Sequence, residues 1–518
     1  MAQRTHTAAA APATGLDRDA SATLAEQLAA LYAQRIAQRR LAPGARLPSV
    51  RGCASEHGLS PSTVVAAYDM LQAQGLAEAR QQRGYFVRER AAALPTRVGA
   101  APRGRLASPP VDATALIRGM FEHQRSSHSP GMGTLPADWL DLPLLHAALR
   151  RAMAEEVRDE QISLRYGSPA GDARLRDALG GRLADLGIAA DAQQIVTTAG
   201  ATQALDLVSR LLLAPGDSVL VDEPGWAVEY ARLTRMGVKL LPVPRGAAGP
   251  DVAAMRRLLE APAGAAKPRL YITVSVLHNP TGAMLSLAVA HQLLKLAEAH
   301  DLTIVEDDTY AWLAPAQAPR LAALDQLQRT VYVSGFSKIV TPNWRVGFLA
   351  ASPALVERCI DQKLLTGLTT PTLPERALAI MLEQGTLRRH AERVTQRLAS
   401  ARQRVQRLAQ EAGCRFAAPP QGLFGWVDAG IDTEHLAAAL HAEGWLLAPG
   451  TLFHATPRAS TLMRINFATA QDARFWRALA AARQTLQHGV TINRQASYHT
   501  ARKTAAMPAA VGGPELTA

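Results

Sequence analysis

The 518-residue chain is short of lysine, of cysteine and of acidic charge. Only six of its 56 basic residues are lysine: Lys239, Lys267, Lys295, Lys338, Lys363 and Lys503. Chemistry that needs an amine therefore has few candidates. The three cysteines, Cys53, Cys359 and Cys414, lie far apart. They make neither a zinc-ligand spacing nor a disulfide framework, which points to a reducing compartment. No apolar run approaches the ~20 residues of a membrane-spanning helix. Met1–Thr14 is alanine-rich and lacks the leucine-rich block of a secretory signal. A cytoplasmic location and no membrane partner are expected. Acidic residues number 44 against the 56 basic ones, a net charge of +12 with a pI near 10.0. That balance suits a nucleic-acid partner, but an ordinary arginine-rich surface would give it too. With 48% hydrophobic and 19% charged residues, the chain is not mostly disordered and has enough apolar material for a sizeable core. Its length calls for more than one domain.

Composition divides it. Residues 1–20 are small and polar and read as a disordered tail. Residues 21–90 are dense and regular. Residues 91–129 begin as Ala, Pro, Gly and Arg with little periodicity, the make-up of a linker. Residues 130–487 alternate strand-like runs (QIVTTAG, DSVLVDEP, RLYITVS, LTIVEDD, TVYVSGFSK) with helical ones, as an α/β domain does. Residues 488–518 turn small and polar again and read as a second tail.

In the N-terminal segment, Leu24, Leu28, Leu31, Ile36 and Leu41 make the apolar stripe of a first helix, ended by Pro43-Gly44. LPSVRGCASEHG reads as a second helix, entered through Pro48-Ser49 and stopped at Gly58. Ser60 is placed to cap a third, with Pro61 at its first position and Val64, Val65, Tyr68 and Leu71 at helical spacing. LAEA and YFVRE, separated by QQRG, read as a β-hairpin. Two short helices joined by a tight turn, followed by a hairpin, make a winged helix-turn-helix. In such a unit the third helix enters the DNA major groove N-terminus first. That places Ser62 and Thr63 near phosphates or base edges, Arg51 near the backbone, and the turn residues Gln81, Gln82 and Arg83 near an adjacent groove. Nine arginines against five acidic residues over 21–90 give a net charge of +4, which suits a phosphate-facing surface. A small helical packing domain with a solvated basic face would read similarly. The run PGARLPSVRGCASEHGLSPSTVVAAYDMLQAQGLAEARQQRGYFV closely resembles the GntR-type winged-helix family. The match covers LPSxR, the opening of the recognition helix from Ser60, Tyr68 and the RGYFV wing. The resemblance implies double-stranded DNA as partner and Arg51, Ser60, Ser62, Thr63, Tyr68, Arg83 and Gly84 as contact residues. Pro61 stands where many relatives carry Arg.

In the larger segment one lysine is distinctive. Lys338 lies between the β-rich run TVYVSGF and the loop TPNWRVGF. Strand-end loops are where α/β proteins place reactive groups. An amine there can join an aldehyde cofactor such as pyridoxal 5'-phosphate (PLP), although a lone loop lysine is usually just solvated. Such a cofactor needs a phosphate site at a helix N-terminus, which the turn at Gly200, Ala201 and Thr202 supplies, and a cation, for which Arg345 is available. Its ring nitrogen needs a carboxylate, and LTIVEDDTY offers Glu306, Asp307 and Asp308. Its ring needs a flat neighbour, for which Trp226 serves. Its phenolic oxygen needs donors, for which Asn279 and Tyr310 serve. An amino acid's carboxylate needs an arginine, for which Arg464 in LMRINFA is a candidate.

The order of these features resembles the fold-type I PLP enzymes, the aspartate-aminotransferase-like superfamily, over roughly residues 130–487. The resemblance implies that Lys338 is the Schiff-base lysine and Asp307 the partner of the pyridine nitrogen, with Asp308 able to exchange roles with it. It implies that Tyr310 and Asn279 bond the ring oxygen, and that Gly200, Ala201, Thr202, Ser337 and Arg345 hold the phosphate. Tyr166 is similar to the tyrosine that reaches the phosphate of a neighbouring subunit, and Arg464 to the carboxylate clamp. Gly335 stands where many relatives carry Ser or Thr. The fold expected is thus an α+β winged helix-turn-helix followed by an α/β fold-type I aminotransferase-like domain. Joined in this order, the two resemble the MocR subfamily of GntR-type transcriptional regulators. That implies a homodimer that senses an amino-acid-like effector through PLP. A working aminotransferase with an accessory DNA-binding module is the alternative, and a large domain kept only for dimerisation is a third reading.

Overall fold

The structure is a computed structural model, and it describes residue 16 and residues 22–37, 41–42, 44–80, 84–88, 128–156, 164–260 and 267–487. The chain forms two compact units that divide near residue 106. Apart from residue 16, the expected tails lie outside the described residues, as do Pro43, residues 91–127 of the linker and the wing-tip residues Gln81, Gln82 and Arg83.

The first unit has three helices, α1 (Leu24–Ala37), α2 (Val50–His57) and α3 (Pro61–Ala73), then the strands β1 (Ala77–Arg80) and β2 (Gly84–Val87). The Ser49 side chain caps α2 by accepting from Gly52 N, and Gly58 ends it in the left-handed region at φ 63°. Glycine takes that conformation without steric cost, so the chain can reverse into α3 within two residues. Ser60 caps α3 by accepting from Thr63 N at 3.1 Å, and Pro61 begins it. The strands pair antiparallel, Ala77 opposite Val87, and a bridge from Arg46 to Phe86 adds a third edge.

The core of this unit differs from the expected stripe. Leu28, Tyr32, Cys53, Val64, Tyr68 and Leu71 are buried. Tyr32, absent from the expected stripe, stands edge-on to Tyr68 at its centre. α1 ends at Ala37, so Leu41 packs on the core from outside the helix. Val65 is 38% exposed: with Val64 facing inward, its neighbour 100° round the helix faces out.

The second unit is built on an eight-stranded sheet. Its strands are β3 (Ile195–Thr198), β4 (Ser218–Glu223), β5 (Lys239–Gly246), β6 (Gly249–Pro250), β7 (Leu270–Thr273), β8 (Thr303–Asp307), β9 (Thr330–Gly335) and β10 (Gly347–Ala350). They lie in the order β3-β10-β9-β8-β7-β4-β5-β6. β9, β8, β7, β4 and β5 run parallel, whereas β10 is antiparallel to both neighbours. β3, β7, β9 and β10 are buried along their whole length, as strands covered by helices on both faces must be. Because β4, β7, β8 and β9 are parallel, the loops after them open at one edge of the sheet. Trp226, Asn279, Asp307 to Tyr310, and Lys338 lie at or beyond the ends of those four strands. A 26-residue helix, Thr386–Glu411, leads to a smaller antiparallel sheet. It comprises β11 (Arg415–Phe416), β12 (Phe424–Asp428), β13 (Ala448–Pro449) and β14 (Leu462–Asn466) in the order β11-β12-β14-β13. β14 carries Arg464. Among the described residues no helix is long and apolar enough to cross a membrane.

Lys363, another of the six lysines, is enclosed rather than set on a solvated face. It is 1% exposed on the helix Pro353–Gly367, and its Nζ donates to Pro169 O at 2.8 Å.

Candidate functional site

The acidic run that closes β8 and opens the loop beyond it sorts itself by partner. Glu306 is buried and accepts from Leu321 N (2.7 Å), Ala322 N (2.8 Å) and the Ser275 hydroxyl. Asp308 is buried on the same side, accepting from Arg320 Nε (2.6 Å) and Tyr332 OH (2.9 Å). Alternation along the strand turns Asp307 the other way. There it lines a cavity with Trp226, Gly225, Tyr230, Thr273 and His278. Its Oδ1 accepts from Thr309 N (3.0 Å) and from the Thr309 hydroxyl, and Oδ2 has no hydrogen-bond partner among the described residues. Burial raises the Asp307 pKa to about 6, against the pull of Thr309. Asp308, the alternative, is committed to Arg320.

Lys338 lies three residues beyond β9. Its Nζ donates to Gly133 O at 2.8 Å. Burial, helped by the charges of Arg464 and Arg345, lowers its pKa to about 8, and Asp307 opposes the shift. Arg464 is 3% exposed. Its Nη1 donates to Asn279 Oδ1 (2.9 Å) and its Nη2 to Gly131 O (2.7 Å), while Nε is buried without an acceptor. The guanidinium lies over the rings of Phe424 (4.6 Å) and Phe453 (5.1 Å), a cation held by aromatic faces rather than by a carboxylate. Tyr310 stands edge-on to Phe424, 5.4 Å between centroids, so it belongs to the same cluster as the guanidinium over that ring.

The proposed phosphate cup forms where the helix Ala201–Leu212 begins. Gly200 has φ 80°, and a Cβ there would lie 2.5 Å from Arg345 Nη2. A Cβ on Gly347 would lie 2.5 Å from Ala201 N, so this close approach requires glycine on both sides. The first N–H groups of a helix have no intrahelical acceptor and carry the positive end of its dipole. Arg345 is held beside them by Ala199 O (3.0 Å) and Ser337 Oγ (3.4 Å). Thr202 lies in the first turn. These residues fit PLP: unpaired donors face where its phosphate would sit, a free carboxylate oxygen suits its ring nitrogen, and a depressed lysine suits its aldehyde. Tyr166 is not brought to this site within one chain, being 82% exposed.

In the first unit, Arg51 and Ser62 are exposed at the N-terminal ends of α2 and α3, and Thr63 is half-buried. The Ser60 hydroxyl is engaged in the cap, with Ser62 Oγ at 2.8 Å and Thr63 Oγ1 at 2.7 Å. Gly84 is exposed at the start of β2 with φ 93°, and Arg46, unforeseen from the sequence, lies beside it. Tyr68 corrects the expectation of a contact residue. It is 0% exposed and its hydroxyl donates to Pro48 O at 2.9 Å, so it braces the entry to α2 from the core.

Sequence reading also missed His278, Asn466 and the carbonyls of Gly131 and Gly133. His278 directly precedes Asn279, which was singled out. Asn466 lies two residues beyond Arg464, so strand alternation puts it on the same face.

These two units define a class, a DNA-binding regulator joined to an aminotransferase-like domain. Comparison with known proteins agrees. Residues 24–87 match the gntR family of bacterial regulatory proteins, and residues 135–481 match aminotransferase class I and II. The uncharacterized HTH-type transcriptional regulator YdcR of Escherichia coli is 31% identical over 86% of this chain and 94% of its own length. The probable rhizopine catabolism regulatory protein MocR of Rhizobium meliloti is 29% identical over 75% of this chain and 78% of its own. Among solved structures, LysN, the α-aminoadipate aminotransferase of Thermus thermophilus, superposes with a TM-score of 0.64 at 25% identity, covering 72% of this chain and 95% of LysN. It was solved with N-(5'-phosphopyridoxyl)-L-leucine. The chain belongs to the aminotransferase class I and II family and, through its gntR unit, to the MocR subfamily of transcriptional regulators. Family membership implies PLP as cofactor.

Proposed function

We propose that the chain regulates transcription by sensing an amino compound through PLP held on Lys338. The observation that carries this reading is the convergence of Lys338, Asn279, Tyr310 and Arg464 around Gly131, Gly133 and Phe424 in a chain that also carries a winged helix. PLP supplies an aldehyde that captures amines and a ring that withdraws electrons from them. The chain's residues do the rest. Asp307 holds the ring nitrogen's proton, Trp226 covers the ring, Asn279 and Tyr310 hold the ring oxygen, and Arg464 orients the carboxylate of the amino compound. Ala201, Thr202, Ser337 and Arg345 hold the phosphate. Arg51, Ser62, Thr63 and the wing from Gly84 contact operator DNA. The domains are assigned to residues 21–90 and 130–487.

A homodimer completes the site in this reading. Leu164, Tyr166, Leu365 and Leu368 are exposed apolar side chains, and Gly167 approaches Thr370 and Thr372 closely enough to put the two loops side by side. An exposed apolar patch of this kind suits a second copy, to which Tyr166 would reach. The protein acts in the cytoplasm.

The test is fluorescence anisotropy of the purified protein on DNA from upstream of its own and neighbouring genes, with and without PLP. A scrambled duplex at the same salt is the reference. Specific binding that PLP or an added amino acid shifts supports the regulator. The intact lysine and arginine favour one second reading, an aminotransferase with an accessory DNA-binding unit. Steady keto-acid production, with no upstream duplex bound better than the scrambled one, would establish that reading instead.

A further inference from the structure

Lys338 and Arg464 are both held by one short segment that enters the site from outside the sheet. Gly131 O accepts from Arg464 Nη2 at 2.7 Å, and Gly133 O accepts from Lys338 Nζ at 2.8 Å. The alternate carbonyls belong to Asn466. Its Nδ2 donates to Met132 O (2.9 Å) and Thr134 O (2.8 Å), its Oδ1 accepts from Ala468 N (2.9 Å), and its backbone N–H donates to Pro130 O (2.8 Å). Asn466 is fully buried. The fit at Gly131 is close: a Cβ there would lie 2.4 Å from Ala448 N. Both N–H donors of the Asn466 amide are thus committed to setting where this segment lies, and Ala468 N fixes the amide by its oxygen.

The two odd-numbered carbonyls occupy the donors that a ligand needs. When the Lys338 amine condenses with the aldehyde of PLP, one water leaves and Nζ is left with at most one N–H in place of three. When a carboxylate binds Arg464, it competes with a neutral carbonyl, and a charge-assisted pair is the stronger of the two. We propose that Asn466 is the positioning residue of a strap, residues 131–134, which competes with bound ligand for Lys338 and Arg464 and is released when ligand takes them. The proposal rests on the reading of Lys338 and Arg464 given above. In sequence, the strap is the first part of the ligand site that follows the DNA-binding unit. A ligand shifts such an equilibrium only as far as it favours one state, and here it favours the released one.

Hydrogen–deuterium exchange on the full chain tests this. Two probes separate the contacts: PLP, which claims Lys338, and N-(5'-phosphopyridoxyl)-L-alanine, which claims Arg464 through its carboxylate. Exchange of the peptide spanning residues 129–135 is expected to quicken with each. Asn466→Ala is expected to show quick exchange without ligand and to bind PLP three- to tenfold more tightly, read from the visible absorption of the lysine-bound cofactor. Asn466→Asp keeps the acceptor for Ala468 N and leaves no cavity, but replaces the donating amide nitrogen with a carboxylate oxygen that repels the Met132 and Thr134 carbonyls, so it should also free the strap. Slower or unchanged exchange in wild type while the visible band is present would mean that the strap closes on the ligand or ignores it, and would overturn the proposal alone. Weaker PLP binding in both variants would do the same. A wild-type chain that never develops the visible band would overturn the assignment of Lys338, and the strap with it.

Discussion

The lowered pKa of Lys338 makes a prediction that separates a reactive amine from an ordinary one. A lysine attacks an aldehyde only as the neutral amine, and an exposed lysine titrates near 10.4. At pH 7 about 0.04% of such a lysine is neutral. Burial beside Arg464 and Arg345 brings Lys338 to about 8, so about 9% is neutral at the same pH, a gain of roughly 200-fold in reactive amine. The rate of PLP capture should therefore rise tenfold per pH unit below pH 7, bend near pH 8 and flatten by pH 9. Stopped-flow absorbance at limiting PLP between pH 6 and 10 reads this directly. Neighbouring charges supply a second arm. Arg464→Gln removes a cation that disfavours the charged amine, so the bend should move up. Asp307→Asn removes the anion that favours it, so the bend should move down. A profile still rising at pH 10 would refute the reasoning, as would a bend that ignores both variants. Lys338→Ala should lose the visible band and keep the fold. If that variant keeps a covalent cofactor, the site has been assigned to the wrong lysine.

Three further outcomes are expected. Arg345→Gln should weaken PLP binding about 10- to 100-fold, the worth of one to two charge-assisted hydrogen bonds, in an absorbance titration. Tyr68→Phe should lower stability by about 1 kcal/mol through loss of the bond to Pro48 O, seen in thermal unfolding, while operator affinity holds. Lost affinity at unchanged stability would instead place Tyr68 on the DNA. Asp307 has a folded pKa raised to about 6, above the ~3.9 of an unfolded aspartate. The folded state therefore holds this proton more tightly, and the PLP-free chain loses stability as pH rises from about 4 through 6. Asp307→Asn should raise the melting temperature of the PLP-free chain at pH 8 and leave it little changed at pH 4.

Much of this was legible in the sequence because local chemistry fixes it. Ser49, Gly58, Ser60 and Pro61 punctuate the helices of the first unit where capping rules put them. The strands read from QIVTTAG, DSVLVDEP, RLYITVS, LTIVEDD and TVYVSGFSK are β3, β4, β7, β8 and β9. What escaped was set by tertiary contact. Helical spacing cannot say whether Val64 or Val65 faces the core, since both are apolar. Tyr68 and a DNA-facing tyrosine look alike until Pro48 O is found within reach. The choice among Glu306, Asp307 and Asp308 needs Leu321, Ala322 and Arg320, which come from the start of a later helix, Leu321–Asp325. Lys363 is buried because Pro169 O and Thr370 Oγ1, both outside its own helix, accept from it.

Those partners also explain why the site must look outside the chain for its counter-charge. Arg232, Arg245 and Arg320 have side chains that are nearly or wholly buried, and each faces a carboxylate: Glu229, Asp222 (2.8 Å) and Asp308 (2.6 Å). A buried cation left without such a partner is costly, and evolution of a stable core removes it or pairs it. Arg464 is buried as deeply, has only carbonyl and amide acceptors among the described residues, and leaves Nε unbonded. Arg345 is exposed, so water can solvate it, and its partners among the described residues are a carbonyl and a hydroxyl. Neither cation at the sheet's open edge is paired with a carboxylate among the described residues. A phosphate at Arg345 and a carboxylate at Arg464 would complete them at sites whose geometry is already set. Arg320 makes the comparison sharp, because Asp308 has already taken the place that a ligand would need.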